Sequence, residues 1–177
     1  MIANDARRLA EERIARWVRD HAAAVRGYLL GMVRRADAAD DLVQEVFQRA
    51  WQARDRYCDQ GHERAFLMRI ADRLVIDRSR RLGVEVNVDD TTWRIVEPFA
   101  PAELPLDGLA SGETNDELAA ALNELNHAQR RVLLLRYFGS FSFEEIALTL
   151  DCPLGTALSH CRRGLAALRK LLMAKST

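Results

Sequence analysis

Long apolar runs are missing from this sequence of 177 residues, and the longest, such as Val132–Leu135, last only a few positions. A membrane-spanning helix needs about twenty, so no span is expected. Met1–Glu12 mixes charges of both signs and lacks the apolar stretch of a secretory leader, so no signal peptide is expected either. Cysteine is scarce: Cys58, Cys152 and Cys161 form no CxxC pair and leave an odd count. That pattern excludes a disulfide framework and suits a reducing cytoplasm. The four histidines, His21, His62, His127 and His160, are scattered without ligand spacing. With no phosphate loop, nucleophile–base pair or metal motif, neither an enzyme nor a bound cofactor or metal is expected.

Net charge is absent too, at 26 basic against 26 acidic residues. The balance argues against nucleic acid until it is resolved along the chain. Residues 1–81 carry 17 basic and 13 acidic side chains, residues 82–114 carry 1 and 7, and residues 115–177 carry 8 and 6. Two mildly basic segments therefore flank an acidic connector, an asymmetry that points to an interaction function. The excess is too small for phosphate attraction alone to hold the chain on DNA.

What is present is helical patterning, 49% apolar residues in all. Trp17, Val18, Val25, Tyr28, Leu29, Met32 and Val33 recur at spacings of three and four and predict one apolar stripe. Asp37-Ala38-Ala39-Asp40-Asp41 predicts a break and a new helix start, because aspartate favours helix N-termini. A second helix is expected over Leu42–Arg54, with Leu42, Val46, Ala50 and Phe47 inward. Asp55–Glu63 reads as a loop and Arg64–Leu82 as a third helix, ending in the basic cluster Arg78-Ser79-Arg80-Arg81. From Gly83 to Thr114 periodicity stops, Pro98, Pro101 and Pro105 arrive, and acids dominate; this is a linker, with Val84–Val88 as a possible short strand. Helical pattern resumes at Asn115, through Leu118, Ala121, Leu122 and Leu125, and again over Ala128–Phe138. The expected fold is all-α, two small helical domains (1–82 and 115–177) on a flexible acidic linker (83–114).

The last third is the most informative. Ser142-Phe143-Glu144-Glu145 is a capping box, in which the serine hydroxyl and Glu145 satisfy each other's backbone amides. The helix Phe143–Leu150 places Ile146, Ala147 and Leu150 on one face. Asp151-Cys152-Pro153 then breaks it, since proline interrupts the amide ladder but suits the start of another helix. That next helix, Leu154–Leu172, turns Leu165, Leu168, Leu171 and Leu172 inward and Arg162, Arg163, Arg169 and Lys170 outward. Two helices across so short a turn make either a DNA-reading helix-turn-helix or a plain helical hairpin.

Both halves resemble one family. Asp40-Asp41-Leu42-Val43-Gln44-Glu45-Val46-Phe47-Gln48-Arg49-Ala50-Trp51 resembles the helix by which bacterial sigma factors grip RNA polymerase. Arg69-Ile70-Ala71 through Ile76-Asp77-Arg78 resembles the promoter-melting helix that follows it. Gln129-Arg130-Arg131-Val132-Leu133, Phe143-Glu144-Glu145-Ile146-Ala147 and Asp151-Cys152-Pro153-Leu154-Gly155-Thr156 resemble the C-terminal sigma domain. The short chain, with no third domain evident between these two, is similar to the extracytoplasmic-function (ECF, group IV) branch of the sigma-70 family.

The resemblance implies roles. Asp41, Gln44, Glu45, Gln48 and Trp51 would face the coiled-coil clamp of the polymerase largest subunit. Arg56, Tyr57, His62, Arg64, Arg69, Arg73, Arg78, Arg80 and Arg81 are the candidates for the −10 element, where melting requires cations along a single strand and a pocket for an unstacked base. Thr156, Leu158, Ser159, His160, Arg162 and Arg163 are the candidates for the −35 element, with arginine–guanine contacts the commonest specific readout. The chain departs from the family at Asp72, often basic there, at Arg73, often Asn, at Leu158, usually Lys or Arg, and at His160, commonly Arg. Asp89, Asp90 and Glu97 would lie on the linker's path towards the polymerase active centre. His160, Cys161 and Cys152 lack a fourth zinc ligand nearby, and Cys161 occupies a core position usually held by Leu, so a small buried thiol is expected. Core RNA polymerase, promoter DNA and an anti-sigma factor are the implied partners. Two other readings stand beside this one. A sigma-like decoy for an anti-sigma factor normally carries a fused receiver domain, for which 177 residues leave no room. An ordinary helix-turn-helix regulator would not need Asp40–Trp51.

Overall fold

The structure, a computed structural model, describes residues 2–54, 57, 61–82 and 112–175. Seven α-helices occupy them: α1 (Ile2–Val33), α2 (Ala36–Gln52), α3 (Glu63–Arg81), α4 (Gly112–Glu124), α5 (His127–Tyr137), α6 (Phe143–Leu150) and α7 (Leu154–Lys175). Arg56, the possible strand Val84–Val88, and Asp89, Asp90 and Glu97 lie outside the described residues.

Helices α1, α2 and α3 pack on one another through the stripe that the spacing predicts. Trp17, Val25, Tyr28 and Leu29 of α1 are fully buried, as are Val46 and Ala50 of α2 and Leu67, Met68, Ala71 and Leu74 of α3. Each large apolar side chain so buried is worth roughly 1.5–3 kcal/mol against exposure. Val18 departs from expectation and is 40% exposed. One residue beyond Trp17 is about 100° around the helix, which carries it off the stripe.

The break between α1 and α2 falls at Arg34 and Arg35, ahead of the expected aspartates. Arg34 takes a left-handed backbone with φ 61°, and its guanidinium donates to the carbonyl of Asn123 at 2.9 Å. Asp37 stands in the first turn of α2, where the helix dipole favours it. Its carboxyl is held below the ordinary range chiefly by a hydrogen bond from Arg35. Asp40 is paired with Arg26 at 2.7 Å.

In the C-terminal half α7 is the common support for α4, α5 and α6. Arg130 is buried and closes the C-terminal end of α4, donating to the carbonyls of Leu122, Asn123 and Leu125 at 2.9, 2.8 and 3.1 Å. The α5–α6 turn is tight: a Cβ on Gly139 would lie 2.5 Å from the Phe141 ring and 2.6 Å from the Leu135 carbonyl oxygen. The capping box is complete, with Ser142 Oγ accepting from the Glu145 amide at 3.2 Å and Glu145 accepting from the Ser142 amide at 2.7 Å. Helix α6 ends where the sequence predicts, on Asp151 in a left-handed conformation at φ 53°.

The two halves do more than share a tether. Helix α1 packs against α5 and α3 against α6, and one continuous buried core runs through both halves. The approach of α1 to α5 is close enough that a Cβ on Gly31 would sit 2.7 Å from a Leu134 methyl.

Candidate nucleic-acid interface

The outer face of α7 follows from its inner one. Ala157, Cys161, Gly164 and Leu168 are buried at helical spacing, and Gly164 lets α7 approach α5, where an added Cβ would meet Leu133 at 2.9 Å. Leu158, Ser159, Arg162 and Arg163 therefore fall together on the opposite side, within about 140° of arc. Arg162 and Arg163 are exposed, and Leu158 and Ser159 half-buried. Thr156 lies in the first turn, beside amides suited to a phosphate. His160 does not join this face. It is buried at 7% exposure, because it stands one turn from both Ala157 and Gly164 on the packed side. Cys161 is a buried thiol, and burial pushes its pKa up to about 11. Among the described residues no cluster of His, Cys, Asp and Glu could hold a metal ion.

On α3 the candidate cations divide between faces. Arg69, Arg73 and Arg80 share a stripe within about 40°, whereas Arg64 and Arg78 lie across the helix. Arg73, Arg80 and Arg81 are exposed and Arg78 half-buried. Arg80 and Arg81 border a shallow cleft with Glu45, Arg49 and Asp77, which sets the basic end of α3 beside α2. Tyr57 packs its ring edge-on to Trp17 at 4.9 Å and against Phe66 at 4.7 Å, in an aromatic cluster at the start of α3. His62 is exposed at the N-terminal boundary of α3.

Arg64 and Arg69 are engaged by the other half of the molecule. Arg64 donates to the Ser140 carbonyl at 3.3 Å and to Glu145 at 3.4 Å, and its guanidinium lies 4.4 Å from the centre of the Phe141 ring. Arg69 donates to the Leu148 carbonyl. All of these partners belong to α6 and the turn before it.

On α2, Asp41, Gln44, Glu45, Gln48 and Trp51 fall within about 120° of arc, opposite Leu42, Val46 and Ala50. Asp41, Gln44 and Gln48 are exposed. Glu45 is paired with Arg49 at 2.6 Å, and the half-buried Trp51 carries Arg54 at 4.4 Å from its ring centre.

The sequence gives no warning of one further group. Asp72, 3% exposed, accepts from Tyr28 Oη at 2.6 Å and from Arg131 Nε at 2.6 Å, and its second oxygen accepts from Arg131 Nη2. Arg131 is itself only 8% exposed. Burial acts to lower the Arg131 pKa, but the charge and hydrogen bonds of Asp72 outweigh it and hold the guanidinium charged. Tyr28 is pushed well above its ordinary value by burial and then by Asp72, so its phenol stays a donor. The partners are 44 and 59 residues from Asp72. The one signal in the sequence is Asp72 itself, an acid where the family is often basic.

Comparison with known proteins fits this geometry. Residues 17–84 match Sigma-70 region 2 and residues 115–168 match Sigma-70, region 4. The chain is 31% identical over 147 residues to the ECF RNA polymerase sigma factor SigW of Bacillus subtilis, covering 80% of this chain and 79% of that one. The chain belongs to the ECF sigma factors of the sigma-70 family. This ECF sigma factor is also 30% identical over 149 residues to EcfG of Rhodopseudomonas palustris, covering 84% and 79% of the two chains. Among solved structures, the sigma factor RpoE in complex with the anti-sigma factor NepR from Bartonella quintana superposes with a TM-score of 0.72 at 25% identity, over 92% of this chain and 98% of RpoE. CnrH, solved with the cytosolic domain of CnrY, shares the fold at a TM-score of 0.66 and 22% identity, over 93% and 90%. Region 2 thus takes in the second half of α1 with α2 and α3, and region 4 runs from α4 into α7.

Proposed function

We propose that this ECF sigma factor binds core RNA polymerase through α2 and directs it to promoters read at −10 by α3 and the segment before it and at −35 by α7. The observation that carries the reading is the pairing of regions 2 and 4, in family order, with α7 presenting Leu158, Ser159, Arg162 and Arg163 beyond a fully capped α6. Exposed Asp41, Gln44 and Gln48 on α2 form the polymerase contact, with Glu45 and Trp51 at its margin. Arg162 and Arg163 supply base and phosphate contacts, and Leu158 meets a thymine methyl. Arg69 and Arg73 track the single strand from one face of α3, Arg64 meets it from across the helix beside Tyr57 and His62 at its entry, and Arg56 of the preceding segment is a further cation. Arg78, Arg80 and Arg81 extend the basic surface along the far end of α3. Among the described residues no helix is long and apolar enough to cross a membrane, and the place of action is the cytoplasm. The structural relative with NepR suggests an anti-sigma factor as regulator here also. Catalysis belongs to the polymerase.

The test is transcription in vitro with purified core polymerase, this protein and fragmented DNA of its own genome, mapping transcript starts. Discrete starts sharing two upstream motifs are expected. Stable binding to core without starts would favour a decoy, and no binding to core an ordinary regulator. In Arg162→Ala with Arg163→Ala, −35-dependent binding should fall, and its salt dependence should flatten by about one unit of slope for each phosphate no longer neutralised. Full promoter selectivity in that variant would remove the −35 role from α7.

A further inference from the structure

We propose that region 4 holds Arg64 and Arg69 of the −10 surface engaged in the protein before polymerase binds, through a latch made by Tyr28, Asp72 and Arg131. The proposal rests on the reading of α3 as the −10 helix.

Three observations converge. Arg64 and Arg69, which flank the face of α3 turned to α6, donate to Ser140, Glu145 and Leu148 and cannot meet a DNA strand at the same time. Behind this contact the Asp72 carboxylate is sealed between the Tyr28 hydroxyl and the Arg131 guanidinium, joining α1 and α3 of one half to α5 of the other. The surrounding packing is close, with Gly31 against Leu134 and Arg34 on the Asn123 carbonyl at 2.9 Å. A charged pair this deeply buried acts over one geometry only: sliding α5 along α1 would separate the charges without rehydrating them.

The closure is selective. Asp41, Gln44 and Gln48 on α2 stay exposed, as do Arg162 and Arg163 on α7. Polymerase can therefore dock on α2 while Arg64 and Arg69 are still held by region 4. Separation of the halves then frees Arg64 and Arg69, so the order is docking first and single-strand capture second. The device keeps Arg64 and Arg69 from single-stranded nucleic acid until the protein sits on the enzyme that opens DNA.

A disulfide across the α1–α5 interface tests this. In a full-length chain with its three cysteines changed to Ala, Gly31→Cys is combined with Leu134→Cys, which replaces the crowded leucine by a smaller side chain. Crosslinking in the uncomplexed protein should be rapid and nearly complete, and Arg131→Met should slow it at least tenfold. Oxidised protein should bind core polymerase within about twofold of the reduced form yet start few or no transcripts, with activity restored by reductant. Lack of a crosslink, or full transcription by the oxidised form, would overturn the latch. Reduced protein that binds core but starts nothing would count against the sigma reading, while crosslink yield still decides the closed state. A second measurement needs no new cysteine: small-angle scattering of Arg131→Met should show a larger radius of gyration than the natural chain. An unchanged radius would also overturn the latch.

Discussion

Removing Arg131 is the sharpest perturbation the structure offers. In Arg131→Met the Asp72 carboxylate would keep one donor, the Tyr28 hydroxyl at 2.6 Å, and be deprived of the guanidinium while 3% exposed. Breaking a buried pair by deleting one partner costs about 3–5 kcal/mol, most of it the price of an uncompensated buried charge. A chain of this size has about 5–15 kcal/mol in all. If the halves separate, Asp72 regains water and the loss is capped at the cost of opening. The denaturation assay therefore reads the smaller of two quantities, and scattering tells which one applies. Urea unfolding of Arg131→Met should show a loss of several kcal/mol in a compact molecule, or a smaller loss in an expanded one. Asp72→Leu with Arg131→Met should recover most of it, because an apolar pair leaves no charge stranded. A loss below about 1 kcal/mol in a molecule that stays compact would refute the reasoning, since it would mean the pair is solvated.

Other consequences follow from single groups. His127 has no hydrogen-bond partner on either ring nitrogen, and burial, then the charges of Arg131 and Arg130 against that of Asp72, bring its pKa down to about 4. A depressed folded pKa favours the neutral ring, so the stability it contributes is fully present above about pH 6.5 and is lost as pH falls towards 4, by roughly 3 kcal/mol at most; His127→Gln should flatten the pH dependence of the urea midpoint in that window. Ser142→Ala opens the capping box and should cost about 1 kcal/mol, read as a lower thermal midpoint with unchanged binding to core polymerase. Gly139→Ala forces a Cβ to within 2.6 Å of backbone oxygen and should destabilise region 4 by more than Ser142→Ala in the same assay. Cys161 should resist a thiol reagent at neutral pH until the chain unfolds, because its pKa of about 11 leaves little thiolate.

How much of the molecule is legible in its sequence depends on the range of the interaction. The capping box, the end of α6 and the inward residues of α2 follow from neighbours within a turn or two, and there sequence and structure agree. The aspartates place the α1–α2 break too late, because they attract a helix start by its dipole, whereas the chain turns on Arg34, whose left-handed backbone no local pattern announces. Kinship assigns His160 to a DNA-facing position; the buried series Ala157, Cys161, Gly164 and Leu168 puts it inside instead. Asp72 is visible in the sequence only as a departure from its family. Its meaning needs Tyr28 and Arg131, which no spacing rule connects to it.

That the interface between the halves is sealed by ions is itself informative. An apolar trio in place of Tyr28, Asp72 and Arg131 would hold the halves together as well or better, since desolvation offsets much of what an ion pair gains. It would also leave a greasy patch on each half once they part, and such patches invite association. A carboxylate and a guanidinium behave oppositely: closed, they satisfy each other in one geometry, and open, each is well hydrated. An interface meant to be permanent gains little from this, whereas one that must close specifically and open into water gains on both sides. The arrangement of α3 against α6 has that second character, because the arginines it engages, Arg64 and Arg69, are among those proposed to meet a promoter strand.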